Sequence, residues 1–140
     1  APVAMDGQHK FFRLKIPSSY ISDPHLQFMS ANSLERDDVV VAISQSGTTT
    51  ALIESVKIVR KNGAKVIGIM PGETPLANIC DFPLTINVGI NNRISKPVTS
   101  RIAYTAVIDV LTMGVAQLKP EAQDHLYNIA DSQRSLKIDN

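Results

Sequence analysis

Tryptophan is absent from this 140-residue chain, cysteine occurs once, and aromatic residues make up only 5%. A lone cysteine, Cys80, excludes intramolecular disulfides and multi-thiolate zinc sites and points to a reducing, cytoplasmic setting. Cys80 itself reads as a small buried hydrophobe. An excess of one charge is also missing: 14 Lys and Arg face 13 Asp and Glu, for a formal net charge of +1, and the basic residues are scattered. That balance gives no electrostatic footprint for nucleic acid within this segment. No apolar run approaches the roughly 18 residues of a membrane span, and no signal-peptide pattern opens the chain. Repeats and low-complexity stretches are absent too. An apolar fraction of 44% and a charged fraction of 19% describe a globular protein, long enough for one domain with a core. The chain lacks an initiator Met, and Ala1-Pro2-Val3-Ala4-Met5 reads like a helix already under way. A fragment of a longer protein is therefore expected.

One local absence matters more than these. No ionisable side chain lies between Asp38 and Glu54. Val39-Val40-Val41-Ala42-Ile43 is a short β-branched run, the pattern of a strand buried on both faces. Ser44-Gln45-Ser46-Gly47-Thr48-Thr49-Thr50 follows, and Ala51 to Lys61 then carries apolar residues at helical spacing. A hydroxyl-rich turn between a parallel strand and a helix is where open α/β sheets hold ligands. Gly47 permits a sharp bend, and the first helical N–H groups have no partners within the helix. With the positive end of the helix dipole they suit a phosphate. The plainer alternative is a Ser/Thr-capped helix after an ordinary loop.

The remaining chain reads as alternating helices and strands. A helix is expected over Val3 to Phe12, and a weak edge strand over Arg13 to Ile21, interrupted at Pro17. Asp23 and Pro24 predict a helix start, with Leu26, Met29 and Ser33 along one side. Leu52, Val56 and Val59 form the apolar stripe of the helix after the loop, which ends at Asn62-Gly63. Lys65 to Ile69 is a second buried strand, completing a unit of βαβ size. A loop at Pro71 to Pro75, a short helix from Leu76 and a third strand from Phe82 to Val88, broken by Gly89, come next. Asn91 to Pro97 reads as an irregular polar loop. From Val98 to Leu118 runs the longest helical pattern, apolar on more than one face, which places it centrally or against another subunit. A polar helix over Glu121 to Ile138 ends the chain. Such alternation predicts a parallel sheet covered on both faces.

The segment Ser44-Gln45-Ser46-Gly47-Thr48-Thr49 resembles the phosphosugar loop, S-x-S-G-x-T, of the SIS (sugar isomerase) domain family. Val3-Ala4-Met5-Asp6 leading to His9-Lys10-Phe11-Phe12-Arg13, and Ser100-Arg101 leading to Val107-Ile108-Asp109-Val110-Leu111, are similar to the RpiR-type transcriptional regulators, hex-regulon repressors among them. The resemblance implies a flavodoxin-like three-layer α/β/α sandwich with a mostly parallel sheet. It also implies a homodimer or higher homo-oligomer, and recognition of a phosphorylated sugar or sugar acid. By position, Ser44, Ser46 and Thr49 would give hydroxyl hydrogen bonds to the phosphate, helped by Gln45 and by backbone N–H groups around Gly47 and Thr48, with Ser100 toward the sugar. Similar members sense 2-keto-3-deoxy-6-phosphogluconate. The family's N-terminal helix-turn-helix domain has no counterpart in this sequence, so DNA contact is expected only through an absent domain. A glycine-rich strand and its ligand-touching Ser, expected just upstream, are missing as well, and the sheet should lack its first strand.

Each remaining candidate has a competing structural reading. His9 suits a general acid or base by its pKa range, yet a histidine on a partly apolar helix is commonly a packed one. His25 and His125 sit at polar positions with no chemical company. Lys96 and Arg101 flank a loop where either can meet a ligand anion or simply face solvent, and Glu54 is placed to pair with Lys57 or Lys61. Aldose-ketose isomerisation, the alternative activity, needs a base and a dry site. The loop supplies no carboxylate, and Thr48 stands where many sugar isomerases of the family have Glu. The sequence therefore reads as a non-enzymatic effector-binding domain with no cofactor, no metal and no membrane partner.

Overall fold

The computed structural model describes residues 2–88 and 96–136, the side chains of Lys96 and Pro97 excepted. Among the described residues, five α-helices and three strands follow in the order α1 (Pro2–Arg13), α2 (Pro24–Ser33), β1 (Val39–Ile43), α3 (Thr50–Lys61), β2 (Lys65–Met70), β3 (Phe82–Thr85), α4 (Lys96–Leu118) and α5 (Pro120–Arg134), with a 3-10 turn at Ala77–Ile79. Two compact units share the chain, one formed by Ile21–Tyr104 and the other by Pro2–Tyr20 with the chain from Thr105 onward.

The first unit carries the sheet. Its order is β1-β2-β3, all parallel, with Val40 opposite Val66 and Ile43 opposite Ile69. Val66 and Met70 on β2 join Ala42, Val56, Val59, Ala31 and Leu76 in one buried cluster. Ile69, on the opposite pleat, is fully buried as well, so β2 is covered on both faces, as parallel strands must be. The α/β class and the parallel sheet are those the alternation predicts. Asp23 caps α2 through its Oδ1, which accepts from Leu26 N at 2.9 Å, with Pro24 in the first turn. At the far end of α3, Asn62 Nδ2 donates to the Ala31 carbonyl and ties the α3 C-cap to α2.

Four local readings are corrected. Leu26 and Met29 are exposed, and the small Ala31 is the buried residue of α2. Close approach to α3 favours a methyl group there over longer side chains. The third strand stops at Thr85, short of Val88, and the short helix from Leu76 is one 3-10 turn. Lys96 and Pro97 already belong to α4. Gly89, Asn91 to Ser95 and Ile138 lie outside the described residues.

The second unit explains why Arg13 to Ile21 forms no strand. Leu14 and Ile16 fold back on α1, their N–H groups donating to Phe11 O, and Lys15 takes φ +58°. Leu14 is thereby buried with Ala116 and Ala122. Lys10 Nζ pairs with Asp6 at 2.6 Å and also with Asp109. Burial works against the Lys10 charge, but its hydrogen bonds to Asp109 and Asp6, with their charges, outweigh it and hold its pKa above the ordinary range.

α4 covers the expected Val98 to Leu118 and begins two residues earlier, but it corrects the expectation that no stretch approaches the length of a membrane span. Its 21 residues Val98–Leu118 reach a mean hydropathy of 1.2, enough by length and composition for a membrane span. Ser100, Tyr104, Ile108, Thr112 and Ala116 form a stripe of buried residues at four-residue spacing, the pattern of a helix that packs by one side. Val98, Ile102, Val110 and Met113 are exposed.

Candidate functional site

The bend after β1 is built from the backbone outward. Ser44 N donates to Ile69 O at 3.0 Å, extending the β1–β2 ladder one residue past the strand. The chain then turns through Gly47, at φ +65°, a conformation that costs any residue with a Cβ. It enters α3 at Thr49, whose extended φ of −67° and ψ of 108° mark the N-cap. Ser44 and Gly47 are buried, while Gln45, Ser46, Thr48 and Thr49 are exposed. Solvent thus reaches four of the six predicted loop residues.

The two serines play different parts. Ser44 Oγ accepts from Gly47 N at 3.0 Å in a buried position. Ser46 Oγ accepts from Thr48 N at 3.2 Å and from Thr48 Oγ1 at 3.0 Å. Both hydroxyls therefore spend acceptor capacity inside the bend, and each retains one O–H hydrogen to give. The backbone N–H groups of Gly47 and Thr48, expected to face an anion directly, are here bonded to serine hydroxyls. Thr49 makes no side-chain cap bond to α3. The capped-helix alternative is thus not realised by Thr49, and the first-turn donors of α3 receive no bond from it.

Two residues that the sequence reading passed over fix this bend. Tyr104, buried on α4, donates its phenol to the Ser44 carbonyl at 3.3 Å. Burial raises its pKa. Ser100 is buried one turn earlier on the same stripe, so α4 brings the predicted sugar-side residue onto the face that meets Ser44. Thr74, in the bend after β2, packs on Gly47 so closely that a Cβ there would lie 2.7 Å from its Cγ2. No local sequence signal marks either contact; the spacing of Tyr104 from Ser100 is the only hint.

The other candidates fall elsewhere. His9, His25 and Arg101 are exposed and His125 is half-buried, and Lys57 Nζ meets Glu54 Oε1 at 2.7 Å, as its spacing predicts. Cys80 is half-buried against the core of the first unit. The Lys96 side chain lies outside the described residues. Among the described residues no group of three or more His, Cys, Asp and Glu gathers to hold a metal. A cavity of about 560 Å³ opens beside Arg36, Asp37, Lys61, Asn62 and Lys65, at the opposite end of the strands from the bend. Its cations sit by the C-terminus of α3, where they complement the helix dipole, and that accounts for them without a ligand.

An all-parallel α/β sheet with an uncharged, hydroxyl-lined bend at the carboxyl end of a strand is the architecture on which open α/β domains hold ligands. The SIS domain model matches residues 1–114, and the chain belongs to that family. It is 38% identical over 133 residues to the HTH-type transcriptional regulator HexR of Pseudomonas aeruginosa, covering 94% of this chain and 47% of that protein. It is 36% identical to HexR of Escherichia coli K12 over 140 residues, covering 99% and 48%. The chain spans about half the length of these curated relatives. Among solved structures, the Vibrio vulnificus NanR protein complexed with ManNAc-6P superposes with a TM-score of 0.85 at 20% identity, covering 99% of this chain and 54% of that one. At that identity the likeness shows the fold.

Proposed function

We propose that this chain is the effector-sensing domain of a cytoplasmic transcriptional regulator of sugar catabolism, and that its bend from Ser44 to Thr49 takes the phosphoryl group of a phosphorylated sugar or sugar acid. The observation that carries this reading is the bend itself: uncharged hydroxyls and a left-handed glycine leading into the N-terminus of α3. A phosphoryl oxygen is met there by Ser44, Ser46 and Thr49 hydroxyls and by the helix end, with Gln45, Gly47 and Thr48 around it and Ser100 toward the sugar. The resemblance to hex-regulon repressors makes 2-keto-3-deoxy-6-phosphogluconate the first effector to try.

DNA is contacted by a further domain, which this domain biases by binding its effector better in one of two states. A homodimer is the expected assembly; the exposed Val98, Ile102 and Val110 of α4 offer it an apolar face. Isomerisation is disfavoured. Its proposed base, His9, is exposed on α1, whereas an enediol needs a dry site, and no carboxylate lies in the bend.

A thermal-shift screen of phosphorylated sugars and sugar acids against their unphosphorylated counterparts tests the reading. A ligand at about 100 times its dissociation constant should add roughly 2.7 kcal/mol. No shift with any phosphorylated compound would remove the sensing role, and interconversion of aldose and ketose phosphates would revive the isomerase.

A further inference from the structure

The bend after β2, from Pro71 to Leu76, does more than connect. Thr74 is buried, and its Oγ1 donates to Pro71 O at 3.1 Å and accepts from Ala77 N at 3.3 Å. Both of its hydroxyl roles are used, so its rotamer is held. The side chain so fixed lies against the α-carbon of Gly47, in the space a Cβ would take. Two residues on, Leu76 N donates to the Gly47 carbonyl at 3.1 Å. A trans peptide is planar, so its carbonyl and its N–H point in opposite directions. With Gly47 O held on Leu76, the N–H of Thr48 is turned the other way, toward Ser46 Oγ. Glu73, just before Thr74, has φ +56°, a left-handed conformation that a non-glycine residue keeps only where its surroundings enforce it.

From this we infer that Thr74 is a positioning residue: it holds the bend after β2 against Gly47 and thereby sets the direction of the Gly47–Thr48 peptide at the phosphate end of the site. It is not assigned a contact with ligand. The inference rests on the phosphosugar reading only for its effect on affinity; the peptide geometry stands apart from it.

The test uses the full chain with Thr74→Val, which keeps the shape and removes the hydroxyl, and Thr74→Ser, which keeps the hydroxyl. Amide hydrogen exchange at Gly47, Thr48 and Leu76 is followed by NMR, and 2-keto-3-deoxy-6-phosphogluconate and inorganic phosphate are titrated calorimetrically. Thr74→Val should speed exchange at these amides by about tenfold relative to amides of β2 and weaken binding by about tenfold, with Thr74→Ser close to wild type. Wild-type exchange and affinity in Thr74→Val would overturn the proposal, as would a uniform rise in exchange across the sheet that Thr74→Ser fails to rescue. If the wild type binds neither probe, the phosphosugar reading fails while local exchange at Thr48 still decides the role of Thr74.

Discussion

The phenol of Tyr104 donates to the carbonyl of Ser44 across 60 residues of sequence. Ser44 is thereby fixed at three points: its N–H on Ile69 O, its carbonyl on Tyr104 and its hydroxyl on Gly47 N. Tyr104→Phe removes one of them with almost no change of volume and leaves a buried carbonyl without its donor. Unfolding free energy should fall by about 1–2 kcal/mol. Phosphosugar affinity should weaken too, since the bend loses a restraint. Urea unfolding and calorimetry read the two effects separately, and an unchanged midpoint would show that the bond contributes nothing.

Ser44 and Ser46 should respond differently to truncation. Ser44→Ala strips the buried Gly47 N–H of its acceptor, so stability and affinity fall together, each by roughly 1–3 kcal/mol. Ser46 is exposed, and water can replace its bond to Thr48. Ser46→Ala should therefore weaken binding while leaving the unfolding midpoint close to wild type. Equal losses of stability in both variants would contradict the division of roles between a buried and an exposed hydroxyl.

Stability should decline on the alkaline side in an ordered way. Burial, with the charge of Asp81 assisting and Arg60 opposing, raises the Cys80 pKa above 9.0. Tyr104 is raised above 10.0 by burial and Lys10 above 10.5 by its carboxylates, against burial. In each case the folded state keeps a proton that the unfolded chain has begun to release. The contribution is complete below the unfolded pKa and is lost as pH rises through the folded one. Urea midpoints should hold up to about pH 9 and then fall, and Cys80→Ala should remove the first part of the decline.

Ser55 carries the one buried side-chain oxygen without a hydrogen-bond partner among the described residues. It sits mid-helix in α3, where alanine has the higher intrinsic propensity. Ser55→Ala should stabilise the chain by about 1 kcal/mol by deleting an unsatisfied hydroxyl. A loss of stability on thermal unfolding would mean that the oxygen is bonded in solution.

The parts of this molecule that were legible in sequence are those set by neighbours along the chain. β1, the bend and α3 follow from a β-branched run, a glycine and a helical stripe, and the Asp23 cap of α2 from its spacing to Pro24. Arg13 to Ile21 was misread because period alone cannot distinguish a short strand from an apolar tail folding back on its helix. What decides it is Lys15 in a left-handed conformation and Leu14 finding Ala116 and Ala122. Thr74 and Tyr104 were invisible for a related reason. Each acts on the bend from a different loop or helix, and a threonine in a Pro/Gly turn or a tyrosine on an apolar helix carries no mark of its distant partner.

A bend with no ionisable group of its own has a consequence for how it discriminates. On the proposed reading it would offer an anion fixed dipoles rather than countercharge, so long-range attraction would be weak and ionic strength should matter little to affinity. Between mild acid and mild base the bend itself would then have nothing to titrate, and any change in occupancy should follow the second ionisation of the phosphate, near pH 6.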